Sequence, residues 1–467
     1  MNLAVIGAQW GDEGKGGVMS RLLSKGYFKV TARYQGGPNA GHTIYVAGQP
    51  VVLHSLPSGV LNEGVVNVMG NGVVVNPSLV GKEIEDLEAR GISLRERLYI
   101  SNRSPVILPH HIALEYIRSK SAEIDTTKQG IGPCYAAHTD RMCPEVGNFY
   151  GPTASVQRLI KEYDGELNIS ERFDAGKREG RIPATLNLTL DAAKATEEYF
   201  RLFEKLGPCV TDTVYLMNGF VNQQRNIIFE GAQGTLLDRD HGTYPFVTSS
   251  STPVGGIAVG LGIDPRHVDK VIGVAKVGYL TRVGNGCLPT ELGDLKSLRG
   301  EVKLDKSSEI FVELERNVRN GAAADREIGR YMRVVGGEYG ATTGRPRRTG
   351  WQDEVALNYA IMFGVDSLAL TKLDVCDKVP EIKSCVAYKN TKTGETTTQF
   401  DPRHLEDYTP VYETQKGWMT DTTNARGYDD LPKNAQEIAE RLGKYRPVDM
   451  ICVGPEDHQT VWINSIF

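Results

Sequence analysis

Residues 2–17 read NLAVIGAQWGDEGKGG, an apolar segment that runs directly into a loop of glycines, two carboxylates and one lysine. A strand followed by such a loop and a helix is typical of proteins that bind a nucleotide phosphate, because backbone N–H groups and the helix N-terminus supply fixed positive charge. The loop departs from a Walker A sequence, since Gln9 replaces its first glycine and Gly16 replaces the Ser or Thr that holds Mg²⁺. Asp12 and Glu13 lie in the loop instead. A carboxylate beside phosphate indicates a bound cation or a chemical role.

The composition excludes several classes of protein. The chain of 467 residues can form two domains or one extended α/β domain, and its net charge of −5 argues against a general nucleic-acid binder. No apolar run approaches the ~20 residues that span a bilayer, and no signal peptide is recognisable. The seven cysteines are scattered and form no CxxC pair, so disulfide and zinc frameworks are not expected. These features predict a soluble, cytoplasmic enzyme that contacts neither membranes nor nucleic acid.

Apolar strand-like runs alternate with helical segments along most of the chain. Strands are predicted at residues 28–34, 97–101, 226–229, 270–275, 367–373 and 449–453, and helices at 77–91, 189–206 and 352–363. This alternation is typical of doubly wound folds, in which functional loops follow the carboxyl ends of the strands. We predict a single α/β domain over residues 1–467, with a large, mostly parallel central sheet flanked by helices and with loop and helical insertions. The charged stretch 293–331 is expected to be a helical, solvated surface insertion.

A second glycine-rich segment, residues 34–43, reads YQGGPNAGHT. Its glycines allow a close approach between backbone and ligand, and carbonyl groups exposed there can ligate a metal. His42 has little apolar packing in such a loop. It is therefore predicted to donate to a phosphate or to act as a general acid, although a histidine that only satisfies local hydrogen bonds fits the same pattern.

The segment TKLD at residues 371–374 follows an apolar run. In guanine-nucleotide proteins the aspartate of an Asn/Thr-Lys-x-Asp loop accepts hydrogen bonds from guanine N1–H and N2–H₂. Adenine lacks this pair of donors and would leave a buried carboxylate unpaired. The motif alone is common at strand ends, but beside a phosphate loop it indicates a guanine nucleotide.

Two further segments complete the candidate site. Residues 230–235 (EGAQGT) follow a predicted strand and offer Gln and Thr for neutral hydrogen bonds. Residues 340–351 (GATTGRPRRTGW) combine hydroxyl groups with three arginines, whose guanidinium groups bind carboxylate or phosphate through paired hydrogen bonds. The surrounding glycines and threonines favour a ligand-binding loop over a solvated basic face.

In this order, the motifs at residues 11–16, 36–43, 230–234, 342–345 and 371–374 closely resemble those of the adenylosuccinate synthetase family. The resemblance covers nearly the whole chain. It implies a GTP- and Mg²⁺-dependent ligase that joins IMP to L-aspartate through a 6-phosphoryl-IMP intermediate and releases adenylosuccinate, GDP and phosphate in AMP biosynthesis. It also implies a homodimer in which Arg141 reaches the neighbouring active site.

The same resemblance implies roles for individual residues. Asp12 is expected to remove the N1 proton of IMP and, with the Gly41 carbonyl, to ligate Mg²⁺, while His42 acts as an acid and Gln233 stabilises the oxyanion at O6. The implied GTP contacts are Gly11, Glu13, Gly14, Lys15, Gly16, Gly41, His42, Thr43, Arg347, Lys372, Asp374 and Gly454. The implied IMP contacts are Asp12, Asn39, Thr127, Arg141, Gln233, Thr248, Val283 and Arg345. The implied aspartate contacts are Thr342, Thr343 and Arg345.

The chain departs from the family pattern at several positions. Lys128 replaces a glycine in the loop that resembles the IMP-phosphate site, so this loop is expected to follow another path. Gly17 replaces the usual lysine of the first motif and Ser20 an aspartate of the first helix. Residues 452–455 (CVGP) occupy a guanine-side loop that usually bears hydroxyl groups, so contacts there are expected from the backbone. The hypothesis is a divergent member with the ordinary chemistry.

Three other interpretations remain open at this point. A paralogue would add aspartate to another 6-oxopurine nucleotide such as dGMP, but viral relatives of that kind tend to lose the carboxylate at the position of Asp12. A non-catalytic GTP-binding switch would carry Ser or Thr after Lys15 and would have little use for Gln233 or the arginines. An ATP-dependent ligase of unrelated type is opposed by Asp374.

Overall fold

The computed structural model describes residues 1–39, 41–46, 49–118, 123–294, 298, 300–340 and 344–466, with side chains described outside residues 42–50. The strands, numbered in chain order, are β1 Leu3–Gly7, β2 Val30–Arg33, β3 His42–Val46, β4 Gln49–Leu53, β5 Val66–Met69, β6 Leu98–Ser101, β7 Val210–Thr211, β8 Ile227–Glu230, β9 Lys270–Lys276, β10 Tyr279–Arg282, β11 Arg348–Asp353, β12 Ser367–Thr371, β13 Glu381–Asn390, β14 Thr396–Thr397, β15 Tyr408–Lys416, β16 Val448–Cys452 and β17 Thr460–Trp462. The α-helices are α1 Lys15–Leu23, α2 Pro77–Glu88, α3 Pro109–Ile117, α4 Ile131–Thr139, α5 Thr153–Leu167, α6 Ile169–Arg178, α7 Ala192–Leu206, α8 Thr213–Asn222, α9 Gly255–Leu261, α10 Glu309–Arg319, α11 Asp325–Gly336, α12 Glu354–Ile361 and α13 Lys433–Gly443.

Ten strands of the described residues form the central sheet, in the order β17-β16-β12-β9-β1-β8-β2-β5-β6-β7. Neighbours are parallel except at the β16–β17 edge. In the middle of the sheet, β1 pairs with β9 from Leu3–Lys270 to Gly7–Val274, and all of its residues are buried. Near-continuous burial is expected for a parallel strand covered on both faces. The predicted mostly parallel sheet is confirmed, and every strand predicted above lies within it.

The predicted helices are also present, with shorter ends set by their caps. The helix predicted at 77–91 is α2, where the Asn76 side chain accepts the Leu79 N–H at 3.2 Å and a proline occupies the first position. The helix predicted at 189–206 is α7, where Asp191 accepts the Lys194 N–H at 2.9 Å. None of the described helices is long and apolar enough to span a bilayer.

The charged stretch 293–331 combines an exposed, charged face with a buried apolar one. It contributes α10 and the beginning of α11, and both are amphipathic helices packed on the main core. Phe311, Leu314 and Val318 are buried on α10, and Met332 is buried on α11. The prediction of helices is correct for these segments, and most of their charged side chains are exposed as predicted, while the spacing of the apolar residues also gives each helix a buried face. That the stretch is an insertion stays a prediction.

A second sheet, in the order β10-β11-β13-β14 with β15 paired to β13, packs beside the first. It is largely built from antiparallel pairs. In the central sheet, the carboxyl ends of β1, β2, β8, β9, β12 and β16 point the same way, so the loops that follow these strands meet at one edge. Each motif singled out above that follows a strand lies in one of these loops.

Asp353, the last residue of β11 and the N-cap of α12, makes the stability of the fold depend on pH. Its carboxylate accepts the Ala356 N–H at 2.9 Å and the Tyr388 hydroxyl at 2.6 Å, yet burial raises the pKa of Asp353 to about 6. In the unfolded chain the pKa of aspartate is about 4. Between these values the folded protein keeps a proton that the unfolded chain loses, so the free energy of unfolding falls as the pH rises from about 4 to about 6.

We expect Asp353→Asn to remove this contribution, which is at most about 3 kcal/mol for a shift of about two pKa units. Urea unfolding of both proteins at pH 4 and pH 7.5 measures it. The loss of stability between the two pH values should be smaller in the variant. An equal loss in both proteins would contradict the assignment to Asp353.

Candidate active site

The loop after β1 is organised by the buried carboxylate of Glu13. Its Oε1 accepts the N–H of Gly11 at 2.8 Å and of Gln9 at 3.2 Å, and its Oε2 accepts Lys15 Nζ at 2.6 Å. The Glu13 side chain has no exposed surface, and Lys15 has very little. The carboxylate therefore shapes the loop and holds the lysine, which leaves the backbone of Glu13 as its means of contact with a nucleotide.

Asp12 is partly exposed and forms an ion pair with Arg347. Its backbone is left-handed, with φ of 58°. Such a conformation costs a residue other than glycine on the order of 1–2 kcal/mol, and it is concentrated at functional sites. Gln233 and Lys372, both predicted ligand contacts, are also left-handed, with φ of 56° and 59°.

The loops after β1 and β8 pack backbone against backbone. A methyl group on Gly234 would lie 2.2 Å from the Gln9 carbonyl oxygen, so only glycine fits at this position. Thr235 Oγ1 donates to the Gly7 carbonyl oxygen at 2.8 Å. These contacts set Gln233 beside the phosphate loop.

Three buried oxygen atoms on the predicted IMP-binding loops have no hydrogen-bond partner among the described residues. They are Asn39 Oδ1, Thr126 Oγ1 and Gln233 Oε1. Gln233 Oε1 also lies close to Gly36, since a methyl group built there would be 3.4 Å away. Buried polar atoms in folded proteins are nearly always paired. The three on these loops offer hydrogen-bonding groups to a polar ligand, although buried unpaired atoms also occur elsewhere among the described residues.

Further predicted IMP contacts lie around the same loops. The Val283 N–H donates to the Trp10 carbonyl oxygen at 3.1 Å, and its side chain packs on Gly11. Thr248 is half-buried, and its N–H donates to the Leu237 carbonyl oxygen at 2.8 Å. The Val283 and Thr248 backbones are thus tied to the loops after β1 and β8.

The loop with Lys128 keeps a glycine-like backbone despite the substitution. Lys128 has φ of 55°, and its Nζ lies 4.2 Å from the centre of the Tyr116 ring. Thr127, beside it, is exposed. Because the lysine adopts the left-handed conformation that glycine takes without strain, the substitution alone does not force the loop onto another path.

The loop after β12 connects the guanine motif to the phosphate loop. Thr371 Oγ1 donates to the Glu13 carbonyl oxygen at 2.5 Å. Lys372 Nζ donates to the Gly336 carbonyl oxygen at 2.6 Å and to Glu338 Oε1 at 2.8 Å. Burial raises the pKa of Asp374. A largely buried carboxylate at this position suits an acceptor that is paired only when donors on a ligand arrive.

Arg21 joins α1 to the loop after β16. Its guanidinium donates to the carbonyl oxygens of Gly454 at 2.8 Å and Glu456 at 2.7 Å. Ser20, which replaces the family aspartate, donates to Asp457 Oδ2 at 2.8 Å. The predicted guanine-side loop is therefore fixed to the helix that begins at the phosphate loop.

The three arginines of residues 340–351 have different surroundings. Arg347 contacts Asp12 and also Glu338 Oε2, the latter at 3.2 Å. Arg348 is buried in a double hydrogen bond with Glu291, at 2.6 and 2.7 Å. Arg345 is 68 % exposed and pairs with Asp125 at 2.9 Å. Arg347 is thus joined directly to the phosphate loop.

Some predictions fall outside the described residues or away from this group. Thr342, Thr343 and the side chains of His42 and Thr43 lie outside the described residues. Gly41, the predicted Mg²⁺ ligand, is described and immediately precedes β3. Arg141 follows α4 with φ of 66° and is exposed. Within the described part of the chain, its side chain makes no ion pair or hydrogen bond with these loops.

Sequence reasoning missed a buried cluster of charges next to the site. Glu338 Oε1 accepts Lys276 Nζ, Lys372 Nζ and the Tyr279 hydroxyl, each at 2.8 Å. Burial opposes ionisation of Glu338, but Lys276, Lys372 and Arg347 outweigh it and lower its pKa. Burial in turn lowers the pKa of Lys276 to about 8. The signals available in the sequence were weak. Lys276 ends an apolar run, and Glu338 stands two residues before the glycine-containing segment 340–351.

These loops, gathered at the carboxyl edge of a parallel sheet, define an α/β enzyme built around a nucleotide phosphate-binding loop. Comparison with known proteins identifies the family. The family model described as adenylosuccinate synthetase matches residues 4–461. An adenylosuccinate synthetase of Hahella chejuensis is 37% identical over 473 aligned residues, covering 100% of this chain and 99% of that protein. The chain belongs to the adenylosuccinate synthetase family, and it is accordingly a ligase.

Solved structures agree with this placement. The fully ligated adenylosuccinate synthetase of Plasmodium falciparum has a TM-score of 0.83 at 33% identity, covering 99% of this chain and 100% of that one. A succinoaminodeoxyadenylate synthetase of cyanophage S-2L, solved with dGMP and dATP, has a TM-score of 0.58 at 16% identity over 99% and 96% of the two chains. The second likeness extends to the fold alone.

Proposed function

We propose that this protein ligates L-aspartate to IMP with GTP as the energy source, and forms adenylosuccinate, GDP and phosphate. The observation that carries the proposal is the position of Asp12. It stands in the phosphate loop with a left-handed backbone, and the loop of Gln233 packs beside it. Asp12 pairs with Arg347, which contacts Glu338, and Glu338 in turn contacts Lys372 of the guanine motif. A loop that only cradled a nucleotide would not need a partly exposed carboxylate there.

In the proposed reaction, Asp12 removes the proton from N1 of IMP, and the negative charge moves to O6. Gln233, which lies beside the phosphate loop, would donate from its amide to that oxygen. O6 then attacks the γ-phosphoryl group of GTP, with His42 as acid. The step converts a poor leaving group into phosphate, which the amine of aspartate displaces.

The predicted nucleotide contacts divide between two sides of Asp12. Lys15 and the amides of the phosphate loop would hold the GTP phosphates, and Arg347 would turn from Asp12 towards them. On the guanine side the contacts would be Lys372, Asp374 and the Gly454 backbone. On the IMP side the contacts would be Asn39, Thr127, Thr248 and Val283. The Asn39 and Thr126 oxygens that have no described partner lie on or next to two of these residues.

Arg345 is proposed to bind a carboxylate of the aspartate substrate, together with Thr342 and Thr343. Its guanidinium is exposed and pairs with Asp125, a carboxylate on the loop of Thr127. When aspartate binds, its carboxylate would replace that of Asp125, so Arg345 is paired both before and after binding. An exposed ion pair is worth little, so the exchange costs little.

The residues present fit a bound Mg²⁺. Asp12 and the Gly41 carbonyl offer oxygen atoms, which Mg²⁺ prefers, and Asp12 already pairs with a cation in Arg347. When bound, Mg²⁺ would neutralise charge on the transferring phosphoryl group. We also propose a homodimer in which Arg141 contributes to the neighbouring site. The cytoplasmic location stays a prediction from the sequence.

Incubation with IMP, L-aspartate, GTP and Mg²⁺ tests the proposal. Adenylosuccinate, GDP and phosphate should appear in equal amounts. Omission of IMP should prevent GDP formation, and omission of aspartate should limit it to one turnover per site. Steady GTP hydrolysis without IMP would contradict a ligase, and GTP binding with no product under any of these conditions would favour the non-catalytic switch. Replacement of GTP by ATP should greatly reduce the rate because adenine cannot satisfy Asp374.

A further inference from the structure

Glu338 is a buried carboxylate that contacts both the phosphate-loop side and the guanine side of the site. It lies just after α11, and its side chain has no exposed surface. Its two oxygens have different partners. Oε1 accepts Lys276, Lys372 and Tyr279, each at 2.8 Å, whereas Oε2 accepts Arg347 Nη1 at 3.2 Å.

Each of these partners belongs to a different part of the fold. Lys276 ends β9 in the middle of the central sheet, Lys372 is the lysine of the guanine motif, and Arg347 reaches Asp12 in the phosphate loop. Glu338 itself is absent from every predicted contact with substrate. Its position therefore suits a residue that acts through its neighbours.

The charges of this group explain why an acid is needed there. Among the described side chains, Lys276, Lys372 and Arg347 form ion pairs with two carboxylates, those of Glu338 and Asp12, and Asp374 acts on Lys372 from outside ion-pair distance. Without Glu338, the three cations would repel one another in a dry interior, and Arg347 would be left with Asp12 as its one described carboxylate partner. Removal of one member of a buried charged group leaves its partners uncompensated.

We propose that Glu338 is a positioning residue that couples the two ends of the GTP site. One of its oxygens fixes Lys372 beside the guanine-binding aspartate, and the other holds Arg347 so that it can leave Asp12 without losing all pairing. This inference rests on the proposed function, because it assigns Asp12 to chemistry and Lys372 to nucleotide binding.

Two consequences distinguish positioning from support of the fold. Loss of the Glu338 charge should weaken binding of a guanine nucleotide even without Mg²⁺, because Lys372 then keeps only its hydrogen bond to the Gly336 carbonyl oxygen and loses its ion pair. It should also lower kcat, because Arg347 stays on Asp12 and blocks that carboxylate. The KM for IMP should change little, since Glu338 contacts none of the residues with unpaired oxygens.

The test compares Glu338→Gln and Glu338→Asp with Glu301→Gln as the matched control. Glu301 forms a buried ion pair at 2.6 Å with Arg333, which lies on α11 shortly before Glu338. Among the described residues, the Glu301 side chain makes no hydrogen bond or ion pair with the predicted site residues. For Glu338→Gln we expect kcat to fall at least tenfold, the Kd for GDP in Mg²⁺-free calorimetry to rise at least fivefold, and the KM for IMP to stay within twofold. Glu338→Asp should recover part of both losses, and Glu301→Gln should keep both values within twofold.

A second variant covers the case in which Glu338→Gln folds poorly. The double variant Lys276→Met with Glu338→Gln removes one cation together with the anion, so stability should recover while kcat and GDP binding remain low. Unchanged GDP binding and kcat in Glu338→Gln, or full recovery of both in the double variant, would overturn the proposal. Turnover of IMP by the wild-type protein reports separately on the proposed function, and the GDP titration requires no turnover.

Discussion

Replacement of Asp12 by asparagine is expected to abolish turnover, with kcat reduced by more than the roughly 10²–10⁴-fold typical of a single acid–base group. Asparagine keeps the size of the side chain but cannot accept the N1 proton of IMP. It is also a poorer ligand for Mg²⁺, so two functions are lost together. The measurement is the rate of adenylosuccinate formation at saturating IMP, aspartate and GTP.

The fold should survive this change, so a loss of rate can be read as chemistry. Asp12 is about one quarter exposed (26%), and Arg347 keeps its contact with Glu338 when the Asp12 charge is gone. The matched control is Asp264→Asn, which breaks a surface ion pair with Arg266 and should leave kcat unchanged. A kcat for Asp12→Asn within tenfold of wild type would show that another group removes the proton.

Replacement of Asp374 by asparagine is expected to change which nucleotide the enzyme accepts. The carboxylate can pair with both N1–H and N2–H₂ of guanine, whereas asparagine offers one acceptor and one donor. Loss of a buried pairing of this kind costs about 1–3 kcal/mol, or roughly 5- to 150-fold in kcat/KM for GTP. Xanthine has a carbonyl oxygen where guanine has its amino group, so the variant should gain activity with XTP.

The ratio of kcat/KM for XTP to that for GTP is the quantity to measure, because it cancels general damage to the protein. It should rise by more than the loss with GTP alone. Lys372 and the other contacts of this loop are unchanged in the variant, and binding of IMP serves as the internal control. An unchanged ratio would place recognition of the base elsewhere.

The fold could be predicted because its main signals are local. Each strand of the parallel sheet that was predicted is a short apolar run, and the motifs at residues 11–16, 36–43, 230–234 and 371–374 follow such runs directly. The second sheet was not predicted. Its longest strand pair, β13 with β15, is partly exposed, so its sequence lacks the continuous apolar pattern of the central strands. The buried faces of α10 and α11 were missed because their many charges masked the helical spacing of the apolar residues.

The site could be predicted where glycines, a lysine and an aspartate fall in a compact motif. Residues whose role depends on distant partners could not be found in this way. Glu338 is significant because Lys276 and Lys372 approach it from 62 and 34 residues away. Arg21 is significant because it reaches a loop more than 430 residues further along the chain. Such contacts exist only in the folded chain, since no short segment contains both partners.

The central claim is that this site joins aspartate to IMP, and the identity of the product made by the wild-type protein tests it most directly. With equal concentrations of IMP or dGMP, plus aspartate, GTP and Mg²⁺, mass spectrometry should find adenylosuccinate from IMP and little or no product from dGMP. Product from dGMP without product from IMP would contradict the account and would identify the protein as a paralogue with another 6-oxopurine substrate.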